Sequence, residues 1–247
     1  MELNNTKRGD YTAFLLRPID EHLPSEAFAI AVSGGLDSMA LLHATLAIAR
    51  ERSIDVMVFH VHHDLQAQAD DWPIFIEQFC QQHRLGFVMR RLDARTRKNA
   101  QSIEDWARRG RYQALSEMAH AHQIRCVWLA QHQDDQIETH LLQKNRGAGV
   151  RGLSAMPQQF TQHNIIWQRP WLHVPRAQIE AFVHTQHISH VHDPSNDDLR
   201  FARNLIRRDV QQMGLNERAE ILDSIVAAQL QNQQDDAWAS AILTPHL

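Results

Sequence analysis

At 247 residues, with 43% apolar and 22% charged residues, the chain is long enough to bury one large core and is neither disordered nor fibrous in composition. Its net charge of −4 argues against a protein that coats nucleic acid non-specifically, no apolar stretch reaches membrane-span length, and the polar start Met1-Glu2-Leu3-Asn4-Asn5 does not read as a secretory signal. Cys80 and Cys126, the only cysteines, exclude a disulfide framework and a CxxC metal or redox site, and they point to the cytoplasm.

In chain order, the pattern predicts strands near 27–32, 54–61, 86–92 and 125–131, alternating with helices near 36–51, 67–84, 102–122 and 133–145. That alternation predicts an α/β fold with a doubly wound parallel sheet, whose ligands bind at the carboxyl ends of the strands. A basic, glycine-bearing connection (146–152), an extended segment near 164–169 and a helix over 176–186 complete a main domain, 1–187. The remainder, 188–247, reads as a small helical C-terminal extension whose Gln-rich stretch, 229–234, is expected to fray.

The first strand runs into Ser33-Gly34-Gly35-Leu36-Asp37-Ser38, which opens a helix. Glycines let the backbone approach an anion, and a helix N-terminus presents N–H groups and a positive dipole end. Ser33 and Ser38 add hydroxyls, and Asp37 is a carboxylate able to hold Mg²⁺ beside phosphates. No Gly-Lys-Ser/Thr ending follows, so this is not a Walker loop. After the second strand come His60-Val61-His62-His63-Asp64. No cysteine joins these histidines or those at 184, 187, 190 and 192, which disfavours structural zinc. His60 or His62 is expected to contact nucleotide or to pack.

Nine of the 25 Lys and Arg residues fall between Arg84 and Arg111. The Arg90–Lys98 part precedes a helix start and reads either as a loop reaching RNA phosphates or as a solvated charge run. In the helix that follows, Ser102 and Asp105 suggest a capping box, and Ile103, Trp106, Ala107, Gly110, Ala114, Leu115 and Met118 form an apolar stripe. Glu104 and Arg111 fall inside that stripe, as a structural ion pair or with Arg111 at an active cleft.

In His132-Gln133-Asp134-Asp135-Gln136-Ile137-Glu138-Thr139, three carboxylates share the start of a helix. They suit Mg²⁺, a cationic amine, or simply the helix dipole. Arg203 and Arg207, four apart, form a basic face suited to phosphate, or a solvated one diluted by neighbouring acids. Cys80 and Cys126 are read as core residues.

Taken together, SGGLDS, HVHH, Ala107-Arg108…Arg111-Tyr112, AQHQDDQIET, RGAGVRGLSAM, Arg169-Pro170, DPSN and RNLIR resemble the catalytic domain of the tRNA(Ile)-lysidine synthetase family, with its PP-loop of the ATP pyrophosphatase kind, from about Phe28 to Arg207. The resemblance implies an adenine nucleotide alpha hydrolase-like fold. It also implies a ligase in which ATP adenylates the 2-carbonyl oxygen of the wobble cytidine in tRNA(Ile) with a CAU anticodon. The ε-amine of free lysine then displaces AMP. It assigns ATP to Ser33, Gly34, Gly35, Leu36, Asp37, Ser38 and His60, and Mg²⁺ to Asp37 and Asp135. Catalysis falls to Asp37, Arg111, Asp134, Asp135 and Glu138, and tRNA to Arg108, Arg111, Arg146, Arg203, Asn204 and Arg207.

Two departures qualify the match. Asp64 stands where the family usually has Gly, and only 40 residues follow Arg207 where many members continue into C-terminal domains. The chain then reads as a compact enzyme, with a homodimer as one form, as a catalytic fragment, or as an enzyme with a related substrate. Two other readings are a PP-loop adenylating ligase or amidotransferase acting on a small molecule or another RNA, and a non-catalytic RNA-binding module. RNA-independent ATP turnover would mark the first, and failure to bind ATP the second.

Overall fold

A computed structural model describes residues 5–63, 70–93, 102–194, 198, 200 and 202–243. Expectations placed on Asp64, Arg95, Arg97, Lys98, Ser195 and Asn196 therefore lie outside the described residues. The chain forms two compact units, Met1–Gln131 with Gln158–Asp193, and His132–Pro157 with Pro194–Leu247. It thus passes between units at 131/132, 157/158 and 193/194, where the sequence reading draws one boundary at 187/188.

The first unit is built on a six-stranded sheet in the order β3-β2-β1-β4-β6-β5. The strands are β1 (Phe28–Ala31), β2 (Val56–His62), β3 (Gly86–Arg91), β4 (Cys126–Trp128), β5 (Gln159–Gln162) and β6 (Ile165–Gln168). Every pairing is parallel except β5 with β6, an antiparallel edge hairpin. Its helices are α1 (Asn5–His22), α2 (Leu36–Glu51), α3 (Asp71–His83), α4 (Ile103–Ala121) and α7 (Arg176–Gln186).

Strand side chains alternate between faces. Phe28, Ile30, Val56, Val58 and Trp128 join one cluster with Leu15 and Ile19 of α1, Leu41 and Leu42 of α2, Ile76 of α3 and Ile179 of α7. Ala29, Phe59, Val61, Val127 and Trp167 join the other, against Tyr112, Leu115 and Met118 of α4. Burial of these side chains is favourable at roughly 25 cal/mol per Å² of apolar surface, and the doubly covered sheet is the result.

Several expectations are corrected here. α1 was not anticipated, because Pro18 interrupts its pattern, yet Leu15 and Ile19 are fully buried and the Trp171 indole N–H donates to the Leu15 carbonyl at 3.0 Å. Ser102 is the N-cap of α4, but its side chain makes no capping hydrogen bond, so the capping box does not form. Ile103 is 38% exposed and Glu104 is exposed, so neither lies on the core stripe, which turns instead through Tyr112 and Ala119.

The second unit is helical: α5 (Gln133–Asn145), α6 (Val150–Leu153), α8 (Ala202–Gln212) and α9 (Leu215–Leu243). Ile137, Ile206 and Val210 form its core, flanked by Leu141, Leu142, Met213, Ile221 and Leu222. The connection at 146–152 contains the short α6, and 229–234 continues as helix within α9. Ser154 fixes α9 to the turn after α6: its carbonyl accepts from Gln229 at 3.2 Å and its hydroxyl oxygen from Asn232 at 2.8 Å.

Candidate active site

The first unit carries the glycine turn between β1 and α2. Ser38 donates its hydroxyl proton to the Gly35 carbonyl at 3.0 Å and accepts the Ser33 N–H at 3.1 Å. With that proton committed, the Ser33 hydroxyl is the donor in the 3.1 Å Ser33–Ser38 contact, and its oxygen accepts the Gly35 N–H at 3.3 Å. Gly34 has φ +89°, and a Cβ there would stand 3.0 Å from Val191 Cγ2, so glycine is required twice over. The Gly34 carbonyl accepts the Val191 N–H at 2.9 Å, which ties the turn to the end of this unit. Gly35, the N-cap of α2, supplies no side-chain acceptor to the first helical turn. N–H groups at that position have no intrahelical acceptor, the arrangement that binds anions.

Asp37, in the first turn of α2, has Arg176 beside it, with Nε 3.7 Å from Oδ1. Arg176 opens α7 and also stands 3.5 Å from Glu180. The sequence reading did not single it out. A signal was present, because a cation in a helix's first turn opposes the macrodipole and calls for another partner.

His60 is 2% exposed on β2, and its Nδ1–H donates to the Val32 carbonyl at 2.8 Å, immediately before the glycine turn. Its Nε2 is left as a buried lone pair. Burial above all pushes the His60 pKa down to about 4, with His62 adding to the effect against the Val32 hydrogen bond. His63 is likewise lowered to about 4, by burial and then by the positive charge of Arg111. His62 approaches Asp70 at 3.4 Å, and Asp70 also ion-pairs with Arg91.

Arg111 is half-buried, with its guanidinium 5.8 Å from the centre of the Tyr112 ring, and exposed Arg108 lies 5.4 Å from the same ring. Tyr112 is held in turn by Arg169, which is 2% exposed and donates to the tyrosine oxygen at 3.3 Å and to Gln131 at 3.0 Å. The Arg169-Pro170 element therefore fixes the aromatic platform on which the arginines of α4 rest. Burial pushes the Cys80 thiol up to about 12 and the Cys126 thiol to about 11, so neither is a nucleophile.

The second unit gathers the acids of α5 and the arginines of α8 and α9. Glu138 is 1% exposed: one oxygen accepts from Arg203 at 2.8 Å and the other from Arg207 at 3.0 Å. Asp135 accepts from Arg203 at 2.8 Å and from the His132 backbone N–H at 3.0 Å. Burial would raise the Asp135 pKa, but His132 and Arg203 outweigh it and hold the carboxyl below its ordinary range. Asp134 accepts from Arg218 at 3.0 Å, and Arg218 also donates to the Val210 carbonyl at 2.5 Å. Arg218 was missed too, and it shows the same signal, a cation in the first turn of its helix.

Asn204 donates to the Asp198 carbonyl at 2.9 Å, and Arg146 is exposed at the C-terminus of α5. No cluster of three metal-ligating side chains occurs among the described residues, and none of their helices is long and apolar enough to cross a membrane.

A tRNA(Ile)-lysidine synthase of Polaromonas naphthalenivorans is 43% identical over 205 residues, covering 83% of this chain and 60% of its own length. One from Burkholderia mallei is 44% identical over 191 residues, 76% of this chain and 38% of its own. One from Pseudomonas syringae pv. tomato is 35% identical over 243 residues, 91% and 54%. The chain spans about half the length of the curated relatives it matches. The fold matches that of a U34-tRNA thiolase from Methanococcus maripaludis with a TM-score of 0.73 at 11% identity, over 90% of this chain and 78% of that one. The PP-loop domain model matches residues 10–213, from within α1 through the glycine turn to the end of α8, and the chain belongs to that family.

Proposed function

We propose that this chain is the catalytic portion of a tRNA(Ile)-lysidine synthase, joining lysine to the wobble cytidine of a CAU-anticodon tRNA(Ile) at the expense of ATP. The observation that carries the reading is the set of relatives of that name, 35–44% identical over most of the chain. The hydrogen-bonded glycine turn supports its ATP half.

In this reading the turn and the first N–H groups of α2 hold the β and γ phosphates. The cytidine 2-oxygen attacks the α-phosphorus, forming an O–P bond as the bond to pyrophosphate breaks, and the donors that bind pyrophosphate stabilise its developing charge. His60, neutral at working pH, offers Nε2 as an acceptor to a donor of the nucleotide. Arg111, seated on Tyr112, compensates negative charge.

Asp37, one-third exposed and next to the turn, fits Mg²⁺, which takes one or two carboxylates along with phosphate oxygens. When bound, Mg²⁺ neutralises phosphate charge. We assign the ion to Asp37, the carboxylate in the first turn of α2 beside the glycine turn, rather than to Asp135, which lies in the arginine-compensated cluster of the second unit.

Lysine's ε-amine then attacks C2, and AMP leaves. The ammonium of the incoming lysine is received by the acids of α5. Asp135, held below the ordinary carboxylate range by its neighbours, stays ionised and is a weak base. Arg108, Arg146, Arg203, Asn204 and Arg207 are assigned to the tRNA, with Arg203 and Arg207 also compensating α5.

The test is release of AMP and pyrophosphate from ATP with and without tRNA(Ile) and lysine. Turnover requiring both, and abolished in a folded Asp37→Ala protein, is expected. RNA-independent turnover, or a wild-type rate in the variant, would overturn the assignment.

A further inference from the structure

We propose that Val191 is a positioning residue for the phosphate-binding turn: its backbone N–H locks the Gly34–Gly35 peptide in the orientation that presents the Gly35 N–H to the anion. The inference rests on the phosphate-binding reading of Ser33–Ser38 and adds to it the segment, 188–193, that holds the turn from outside.

A peptide between two glycines has no side chain on either flank to oppose its rotation, so the sequence of the turn leaves this piece of backbone free to flip. The serines hold it only loosely. Ser33 accepts the Gly35 N–H at 3.3 Å, longer than the other side-chain hydrogen bonds of the turn, at 3.0–3.1 Å. The Gly34 carbonyl, on the opposite edge of the same planar unit, accepts the Val191 N–H at 2.9 Å. Flipping the peptide would break that bond and turn a carbonyl oxygen toward the anion. The better-made bond thus lies outside the turn, and the longer one belongs to the N–H for which a phosphate oxygen competes.

Val191 can act as a fixed point because its own segment is anchored. Ile188 is 5% exposed, joins the core cluster with Leu41 and Leu42 of α2 and Ile179 of α7, and donates its N–H to the Val183 carbonyl at 3.0 Å. Val191 Cγ2 and Ile76 Cδ1 stand 3.0 and 3.5 Å from where a Gly34 Cβ would be, so the turn is packed as well as hydrogen-bonded from this side. A turn held in its binding geometry beforehand avoids the cost of ordering it around the ligand. By linkage, an anion that needs this geometry must in turn strengthen the Val191–Gly34 bond.

The experiment is amide hydrogen exchange at Val191 in the full chain, alone and with inorganic pyrophosphate or AMP, which lacks the two phosphates assigned to the turn. Pyrophosphate is expected to slow Val191 several-fold more than Ile188, whose acceptor is Val183, and AMP to leave the two alike. Equilibrium binding to variants runs alongside. Val191→Pro, which deletes the N–H, is expected to bind pyrophosphate about tenfold more weakly, Val191→Ala, which keeps it, to lose less, and both to bind AMP as the wild type does. Equal slowing of Val191 and Ile188 by pyrophosphate overturns the inference, and that arm needs no variant to fold. Wild-type pyrophosphate affinity in Val191→Pro also overturns it, as does parallel loss of AMP and pyrophosphate binding, which reveals a merely structural role. If the wild type binds AMP but no pyrophosphate, the phosphate-turn reading itself falls and takes the inference with it.

Discussion

Ser38 illustrates how much chemistry one hydroxyl can organise. By donating to Gly35 and accepting from Ser33, it orders the turn before any ligand arrives, so little reorganisation remains to be done on binding. Gly34 is as constrained. Gly34→Ala would meet both a left-handed φ and the Val191 methyl, and we expect about 1–3 kcal/mol of lost stability together with weaker ATP binding, read by urea denaturation and nucleotide titration. A variant as stable as wild type would show that the turn relaxes. At this scale the sequence was most legible where residue type and order define a local geometry, as in SGGLDS. It was least legible for Arg176 and Arg218, whose partners lie far away in the chain.

At the scale of elements, α2, α5 and α7 match their expected spans, because their apolar spacing and end signals agree. α1 does not announce itself, since Pro18 breaks the pattern while Leu15 and Ile19 are fixed by tertiary burial. The acids of α5 and the arginines of α8 were both visible, yet nothing local says that they pair. Three carboxylates and three arginines compensate one another across α5, α8 and α9.

Glu138→Gln keeps the shape and removes the charge that both Arg203 and Arg207 face. Breaking a buried pair on one side costs about 3–5 kcal/mol, and the arginines' partial exposure brings our expectation to roughly 2–3 kcal/mol. Chemical denaturation followed by helix signal reads it, and an unchanged midpoint would show that the cluster adds nothing to the packing of α8. Arg203→Ala should likewise destabilise α8, so any loss of RNA binding in that variant has to be compared at matched folded fraction.

For the molecule as a whole, the alternating strands and helices made the parallel sheet legible, whereas the antiparallel β5 edge and the discontinuous second unit were not, because both depend on long-range pairing. The buried histidines give the protein a pH dependence with a definite sign. His60 and His63 have folded pKa values of about 4, below the ordinary 6.5, so the unfolded chain binds more protons between those values. Stability is therefore full above about pH 6.5 and declines as the pH falls toward 4, by roughly 3 kcal/mol for fully buried His60. Denaturation midpoints across pH 4–7 check this, and His60→Gln should flatten the slope. A stability that rises on acidification would contradict the neutral, buried assignment.

The central claim is the proposed reaction, an ATP-dependent ligation of lysine to RNA. Its most direct measurement is incorporation of radiolabelled lysine into an unmodified tRNA(Ile) transcript with a CAU anticodon, in the presence of ATP and Mg²⁺. We predict label on the RNA with AMP released one for one, and none when the anticodon cytidine is replaced by uridine. ATP cleaved to AMP and pyrophosphate with no lysine on the RNA would contradict the lysidine reading and leave a PP-loop enzyme with a different acceptor.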